Sequence, residues 1–106
     1  MTFPIQISAK GLTNQETIEA LIHERAERLE RFHHRITHAR VAIAVDGKHP
    51  ARYDVKLEIA IPGNEIVVSR GPTEDLPAAI REAFDVVRRQ LQDRDPHKHH
   101  HLSEKR

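Results

Sequence analysis

The sequence predicts an α+β domain, a four-stranded mixed sheet with two helices packed on one face, in the order β-α-β-β-β-α. Four segments alternate apolar and polar residues with the period of a strand, and two longer segments repeat apolar residues with the period of a helix. Each strand has only one apolar face, so both helices are expected on that face and solvent on the other. The strand-helix-strand connection makes the first two strands parallel, and the hairpins add antiparallel neighbours.

The predicted strands share this alternation, which is clearest in the third strand, from Tyr53 to Ile61. After it, Pro62-Gly63-Asn64 supplies the residues of a tight hairpin turn. The fourth strand is expected over Glu65 to Arg70. The apolar positions of the other three strands are Phe3, Ile5 and Ile7; Val41, Ile43 and Val45; and Tyr53, Val55, Leu57, Ile59 and Ile61.

Both predicted helices begin at recognisable start signals. Thr13 to Glu16 forms a capping box, and the helix that it opens is expected to run to about His34. Thr73 to Pro77 opens the second helix, because proline is tolerated in the first turn and acidic residues suit the positive helix end; Asp95-Pro96 ends it. The core faces are Ile18, Leu21, Ile22, Ala26, Leu29 and Phe32 in the first helix, and Leu76, Ile80, Ala83, Phe84, Val87 and Leu91 in the second.

The composition fits one domain and excludes several function classes. The chain has 106 residues and no cysteine, which rules out disulfides, thiolate zinc sites and cysteine nucleophiles. Lys and Arg number 17 against 16 Asp and Glu, so no global charge attracts the chain to nucleic acid or to a membrane. No secretory signal is visible, and no apolar run approaches the roughly 20 residues that span a bilayer. A cytoplasmic protein is therefore expected.

We expect residues 1–92 to form the folded domain and residues 93–106 to be a disordered polar tail. The tail is rich in histidine, and imidazole binds nickel, copper and zinc. A polar tail supplies neither fixed geometry nor second-shell support, so no metal site is predicted. These histidines are His97, His99, His100 and His101.

Charge is segregated around the first predicted helix. On a helical wheel the arginines occupy one flank and the glutamates the other, except that Glu24 lies on the basic side. Two explanations remain open: pairs such as Glu24–Arg28 and Glu27–Arg31 support a solvated helix, or the arginines bind a polyanion, since a guanidinium forms two hydrogen bonds with a phosphate. The candidate phosphate-binding residues are Arg25, Arg28, Arg31 and Arg35 on the first helix, and Arg81, Arg88 and Arg89 on the second.

Few residues suit base recognition or catalysis. One Tyr, three Phe and no Trp, most of them on core faces, predict no stacking platform for single-stranded bases. An RNA partner would then be recognised by its shape and backbone. There is no Gly-x-Ser-x-Gly turn and no glycine-rich phosphate loop, so the sequence predicts neither an enzyme nor a cofactor.

Several of these segments resemble the ribosome hibernation-promoting factor and ribosome-associated inhibitor family, in its short form. The resemblance covers roughly residues 4–92 and includes the order of the elements. Arg25 and Arg28 stand where the family commonly has Lys or Arg, and Arg89 stands at its usual basic position; Val86 and Asp93 stand where it often has lysines. The segments are Val55–Ile66, Thr73–Ile80, Arg89–Leu91 and the helix from Ile18 to Ile36, with its Arg-x-x-Arg-Leu-Glu-Arg-Phe sequence.

The resemblance implies a non-catalytic protein that occupies the mRNA and tRNA channel of the small ribosomal subunit and inhibits translation under stress or starvation. Its partners would be the phosphates of small-subunit rRNA, and a ribosome-dimerising modulation factor is a further candidate; no membrane is involved. The alternative is a protein-interaction or regulatory module of the same fold with little ribosome affinity. The salt dependence of binding distinguishes the two functions, because phosphate binding releases counterions and weakens steeply as the salt concentration rises.

Overall fold

The computed structural model describes residues 3–9, 11–12, 14–33, 35–48 and 51–93, and they follow the predicted β-α-β-β-β-α order. The sheet has the strand order β1-β2-β3-β4; β1 pairs with β2 in parallel, and the other two pairs are antiparallel. The predicted fold class is confirmed. The elements are β1 (Ile5–Ala9), α1 (Gln15–Phe32), β2 (His38–Val45), β3 (Tyr53–Ile61), β4 (Asn64–Thr73) and α2 (Leu76–Asp93).

The hydrophobic core lies between one face of the sheet and the two helices. Alternate residues of the central strands are fully buried, as at Val41 in β2 and Leu57 in β3. Ile22 of α1 and Val87 of α2 belong to the same buried cluster, so both helices cover the same face. This one-sided burial is what the period of two in the strands predicts.

The opposite face of the sheet is exposed and charged. Arg40 of β2 is in register with Glu58 of β3, and its Nη1 atom lies 3.1 Å from Glu58 Oε1. Lys56 Nζ lies 3.3 Å from Glu58 Oε2. One carboxylate therefore partners two cations, so the positive charge of this pair is partly compensated.

The start of α2 agrees with the prediction that Thr73 to Pro77 opens it. The Ala78 N–H donates to Asp75 Oδ1 over 3.1 Å, and the Asp75 N–H donates to the Thr73 hydroxyl over 3.0 Å. Asp75 thus caps the helix with its side chain. Pro77 lies in the first turn, where its missing N–H has no intrahelical acceptor.

The two ends of α1 differ from the prediction. Asn14 occupies the N-cap position, and its side chain makes no capping hydrogen bond; the predicted cap, Thr13, lies outside the described residues. At the other end the helix stops at Phe32, where the backbone N–H of His33 donates to the Leu29 carbonyl over 2.8 Å. Arg35 lies beyond this end, so its predicted place on the α1 wheel is wrong.

The C-terminal part of the chain was predicted as a polar tail from residue 93. Asp93 belongs to α2. The rest of that segment lies outside the described residues, including the predicted helix end at Asp95-Pro96 and the four histidines.

The β3–β4 ladder contains an irregularity that requires glycine. The register passes from Val55 opposite Arg70 to Tyr53 opposite Thr73, which leaves one extra residue in β4. Within it, Gly71 has a φ of +127°, and an added Cβ would lie 2.6 Å from the Tyr53 carbonyl oxygen. Both the backbone angle and the space exclude a side chain at this position.

Replacing Gly71 by Ala should lower the free energy of unfolding by about 2 kcal/mol or more, because the methyl group meets backbone atoms and the φ is strained. Urea denaturation followed by circular dichroism measures this loss. Gly47→Ala is the matched control, since a Cβ at Gly47 meets nothing within 4 Å; its change should stay within about 0.5 kcal/mol. Equal losses in both variants would contradict the steric explanation.

Candidate nucleic-acid interface

A groove of about 340 Å³ lies between α1 and α2. Its most buried lining residues are apolar, namely Leu29 and Phe84, whereas its charged lining residues are more exposed. The groove therefore has an apolar floor and a charged rim. The charged lining residues are Arg25, Arg28, Asp85 and Arg88, so three of the seven predicted arginines come together here.

The position of these residues follows from the helical pattern. Arg25 and Arg28 are three residues apart and lie on one flank of the buried stripe of α1, so they are neighbours on the helix surface. Arg88 follows the buried Phe84 by four residues on α2. The Arg88 Cζ atom lies 5.7 Å from the centroid of the Phe32 ring, which is a cation–π contact between the two helices. The basic flanks of the two helices thus face a shared groove.

Only one groove arginine is held by an ion pair among the described residues. Arg28 Nη2 lies 3.0 Å from Glu24 Oε2, and both side chains are 56% exposed. Such an exposed pair contributes only about 0.3–0.5 kcal/mol, so a polyanion can displace it at little cost. In the part of the chain that the structure describes, neither Arg25 nor Arg88 has a carboxylate oxygen within 4.0 Å. The Nε atom of Arg25 is covered and has no acceptor there.

The other four predicted arginines do not line the groove. Arg81 lies on the same flank of α2 as Arg88, about two turns earlier in the helix. Arg31 and Arg89 are exposed on the outer sides of their helices, and Arg35 is exposed in the turn before β2. The structure therefore places three of the predicted residues together, one beside them on the same flank, and three apart from them.

Of the two predicted ion pairs within α1, the structure shows one. Glu24 pairs with Arg28, whereas Glu27 and Arg31 form no ion pair within the described ranges. Ion pairing within the helix therefore explains only part of the charge pattern of α1, and the Arg31 side chain is not held by Glu27.

The exposed position of Phe32 was not predicted, because the helical pattern assigned this residue to the core face of α1. The structure leaves its side chain 39% exposed, because α1 ends at this residue and the ring extends over the rim of the groove. The sequence held no signal for this exposure, because the helix was expected to continue to about His34, whereas it ends at Phe32.

The described residues contain no group of three or more His, Asp and Glu side chains arranged to hold a metal ion, and the histidines of residues 97–101 lie outside them. Within the same ranges, neither helix is long and apolar enough to cross a membrane.

The sequence matches a known class of ribosome-associated proteins. The family model described as "Sigma 54 modulation protein / S30EA ribosomal protein" matches residues 5–96. The chain belongs to this family, and the family predicted from the sequence is confirmed.

A curated relative is the ribosome hibernation promotion factor of Deinococcus radiodurans. It is 32% identical over 88 residues, which are 81% of this chain and 46% of the relative. The chain thus spans about half the length of that relative.

Two solved structures share the fold. The ribosomal subunit interface protein from Coxiella burnetii superposes with a TM-score of 0.72 at 14% identity, over 86% of this chain and 96% of that one. The N-terminal domain of Thermus thermophilus Protein Y superposes with a TM-score of 0.68 at 23% identity, again over 86% and 96%. At these identities the likeness establishes the fold alone.

Replacing Glu24 by Gln should strengthen polyanion binding at the groove without changing stability. The substitution releases Arg28 and raises the local charge by one, so the variant should elute from a heparin column at higher salt. Its free energy of unfolding should change by no more than about 0.5 kcal/mol, because the pair is exposed.

Glu65→Gln is the control for this prediction. It makes the same charge change on an exposed residue of β4, and its elution should move less. An equal shift in both variants would show that heparin senses net charge, and would count against the groove.

Proposed function

We propose that this chain binds the small ribosomal subunit in the channel for mRNA and tRNA, contacts rRNA phosphates through its arginines, and inhibits translation under stress or starvation without catalysing a reaction. The observation that carries the proposal is the convergence of Arg25, Arg28 and Arg88 at one groove in a chain whose net charge is only +1. Membership of the family, with a relative named ribosome hibernation promotion factor, supports the same partner.

The chemistry of the groove suits phosphate. Guanidinium is always charged and binds a phosphate with two parallel hydrogen bonds. Among the described residues, Arg25 and Arg88 form no ion pair that would have to break before they bind a phosphate. Arg81, on the same flank of α2, extends the basic surface along that helix, whereas Arg31, Arg35 and Arg89 are more distant candidates.

The exposed face of the sheet is a weaker candidate for the same partner. Its cations Arg40 and Lys56 both lie within 3.3 Å of Glu58, whose carboxylate would repel a phosphate placed there. The side chain of Glu58 is only 17% exposed, so this acid is held in place between the two cations. The helical side is the stronger candidate because Arg25 and Arg88 have no carboxylate partner among the described residues, whereas both of these sheet cations do.

Replacing Arg25 and Arg28 together by Glu should weaken binding to purified small subunits by about 3 kcal/mol or more at low salt, since each charge-assisted contact contributes roughly 1.5–3 kcal/mol. Co-sedimentation across a protein titration measures the affinity. The matched control is Lys48→Glu with Arg52→Glu, which makes the same charge change on the exposed loop between β2 and β3. That loop lies at the end of the fold where α2 begins, since Arg52 Nε is 3.8 Å from Glu74, and the control should bind nearly normally.

The salt dependence separates the proposed function from a protein-interaction module. Two or three phosphate contacts predict that log K falls with log salt at a slope of about −1.5 to −3, and the double variant should show a shallower slope. A nearly flat salt dependence, or no binding to purified subunits, would favour the protein-interaction module. Unchanged affinity in the double variant would exclude the groove from the interface.

Inhibition and the assembly state are tested on a sucrose gradient and in cell-free translation. The wild-type chain should migrate with small-subunit and single-ribosome fractions and lower protein synthesis, whereas the Arg25→Glu, Arg28→Glu variant should do neither. Appearance of the chain in ribosome-dimer fractions only after a modulation factor is added would identify that factor as a partner. Inhibition that persists in the double variant would contradict a mechanism based on occupying the channel through this groove.

A further inference from the structure

We infer that the groove between α1 and α2 is a base-binding site that holds one unpaired RNA nucleotide, with its base against Phe32 and Arg88 and its phosphate on Arg25 and Arg28. The inference rests on the proposed ribosome binding and deepens it, because it adds recognition of a base to recognition of the backbone. It also revises the expectation that the chain has no stacking surface for bases.

The first argument is the exposed aromatic ring. Phe32 and Val67 are the large apolar side chains that remain exposed in the described part of the chain, and only Phe32 of the two lines the groove. Arg88 lies over this ring at 5.7 Å. Unpaired RNA bases stack on aromatic rings and on guanidinium planes, and this contact brings one of each together at the groove.

The second argument is the distribution of polarity within the groove. Leu29 and Phe84 form a buried apolar floor, and Arg25 and Arg28 stand at the rim. A nucleotide has the same division, since its base is flat and weakly polar and its phosphate carries the charge. A volume of about 340 Å³ lies at the lower end of the range for small-molecule sites, so it suits a single nucleotide.

The third argument is the aspartate among the arginines. Asp85 lines the groove, is exposed, and forms no ion pair within the described residues. Its carboxylate repels a phosphate but accepts hydrogen bonds from the donors on a base edge. Guanine offers two adjacent N–H donors on its Watson–Crick edge, whereas adenine and cytosine offer one amino group. Asp85 therefore makes guanine the preferred base.

The test measures binding of the full chain to short labelled RNAs at low salt, by fluorescence anisotropy. The probes are the hexamers UUGUUU and UUAUUU, and the same hexamer with an abasic third position. The guanine hexamer should bind at least about fivefold more tightly than the abasic one, as expected for one stacked base. The adenine hexamer should lie between them.

Three variants assign this difference to the groove. Phe32→Ala should abolish the preference for a base while it leaves binding of the abasic hexamer and the salt slope unchanged. Phe32→Tyr keeps the ring and should retain the preference. Asp85→Asn should bring guanine and adenine to similar affinities: it removes the carboxylate acceptor for guanine, and it raises the affinity for the adenine and abasic hexamers because a negative charge leaves the groove.

Several outcomes would overturn the inference. Equal binding of the guanine and abasic hexamers would do so, as would a loss in Phe32→Ala that is the same for all three probes. Self-association of the wild-type chain that Phe32→Ala abolishes would instead assign the groove to a second copy of the chain. The two proposals can fail separately. If the chain co-sediments with small subunits but shows no base preference, only the base site is rejected. If it shows a base preference but does not co-sediment, only the ribosomal partner is rejected.

Discussion

Burial of a single face of the sheet beneath two adjacent helices determines where the charged residues of the candidate site lie. The buried residues of β2, β3 and β4 on that face are all apolar, so each helix must direct one apolar stripe toward them. Residues on either side of that stripe are then brought to the boundary between the helices. Arg25 is the clearest case, because its Nε atom is covered while the residue as a whole is only partly buried. A long side chain of this type packs its stem against apolar neighbours and keeps its charge at the surface.

Much of this architecture could be predicted from local patterns. The alternation in β3 and the helical repeat from Leu76 to Leu91 each specify a buried face, and the order of the elements restricts the connections to few topologies. The start of α2 was also recognisable, because a proline in the first turn and acidic residues before it are typical of a helix start. These features depend on residues close together in the chain, which is why the sequence alone suffices for them.

The site was less predictable, because it depends on how two separate helices meet. A helical wheel assumes that the helix continues, and it placed Arg35 in line with the other arginines although α1 ends at Phe32. The wheel also assigned Phe32 to the core. A wheel of one helix cannot show how far the second helix covers this ring, which stays 39% exposed. The contact between Phe32 and Arg88 joins residues 56 positions apart, and no pattern within either helix contains that information.

A net charge of +1 affects how such a site can bind. Long-range attraction to a polyanion scales with the charge of the whole molecule, so this chain gains little from it. Binding must then rely on short-range contacts, where position matters more than total charge. Asp85 and Glu24 strengthen this dependence, because a phosphate displaced toward either carboxylate is repelled, whereas one held by the arginines is not. Acidic residues within a basic groove thus reduce affinity for polyanions in general and favour ligands whose charged and apolar parts match its geometry.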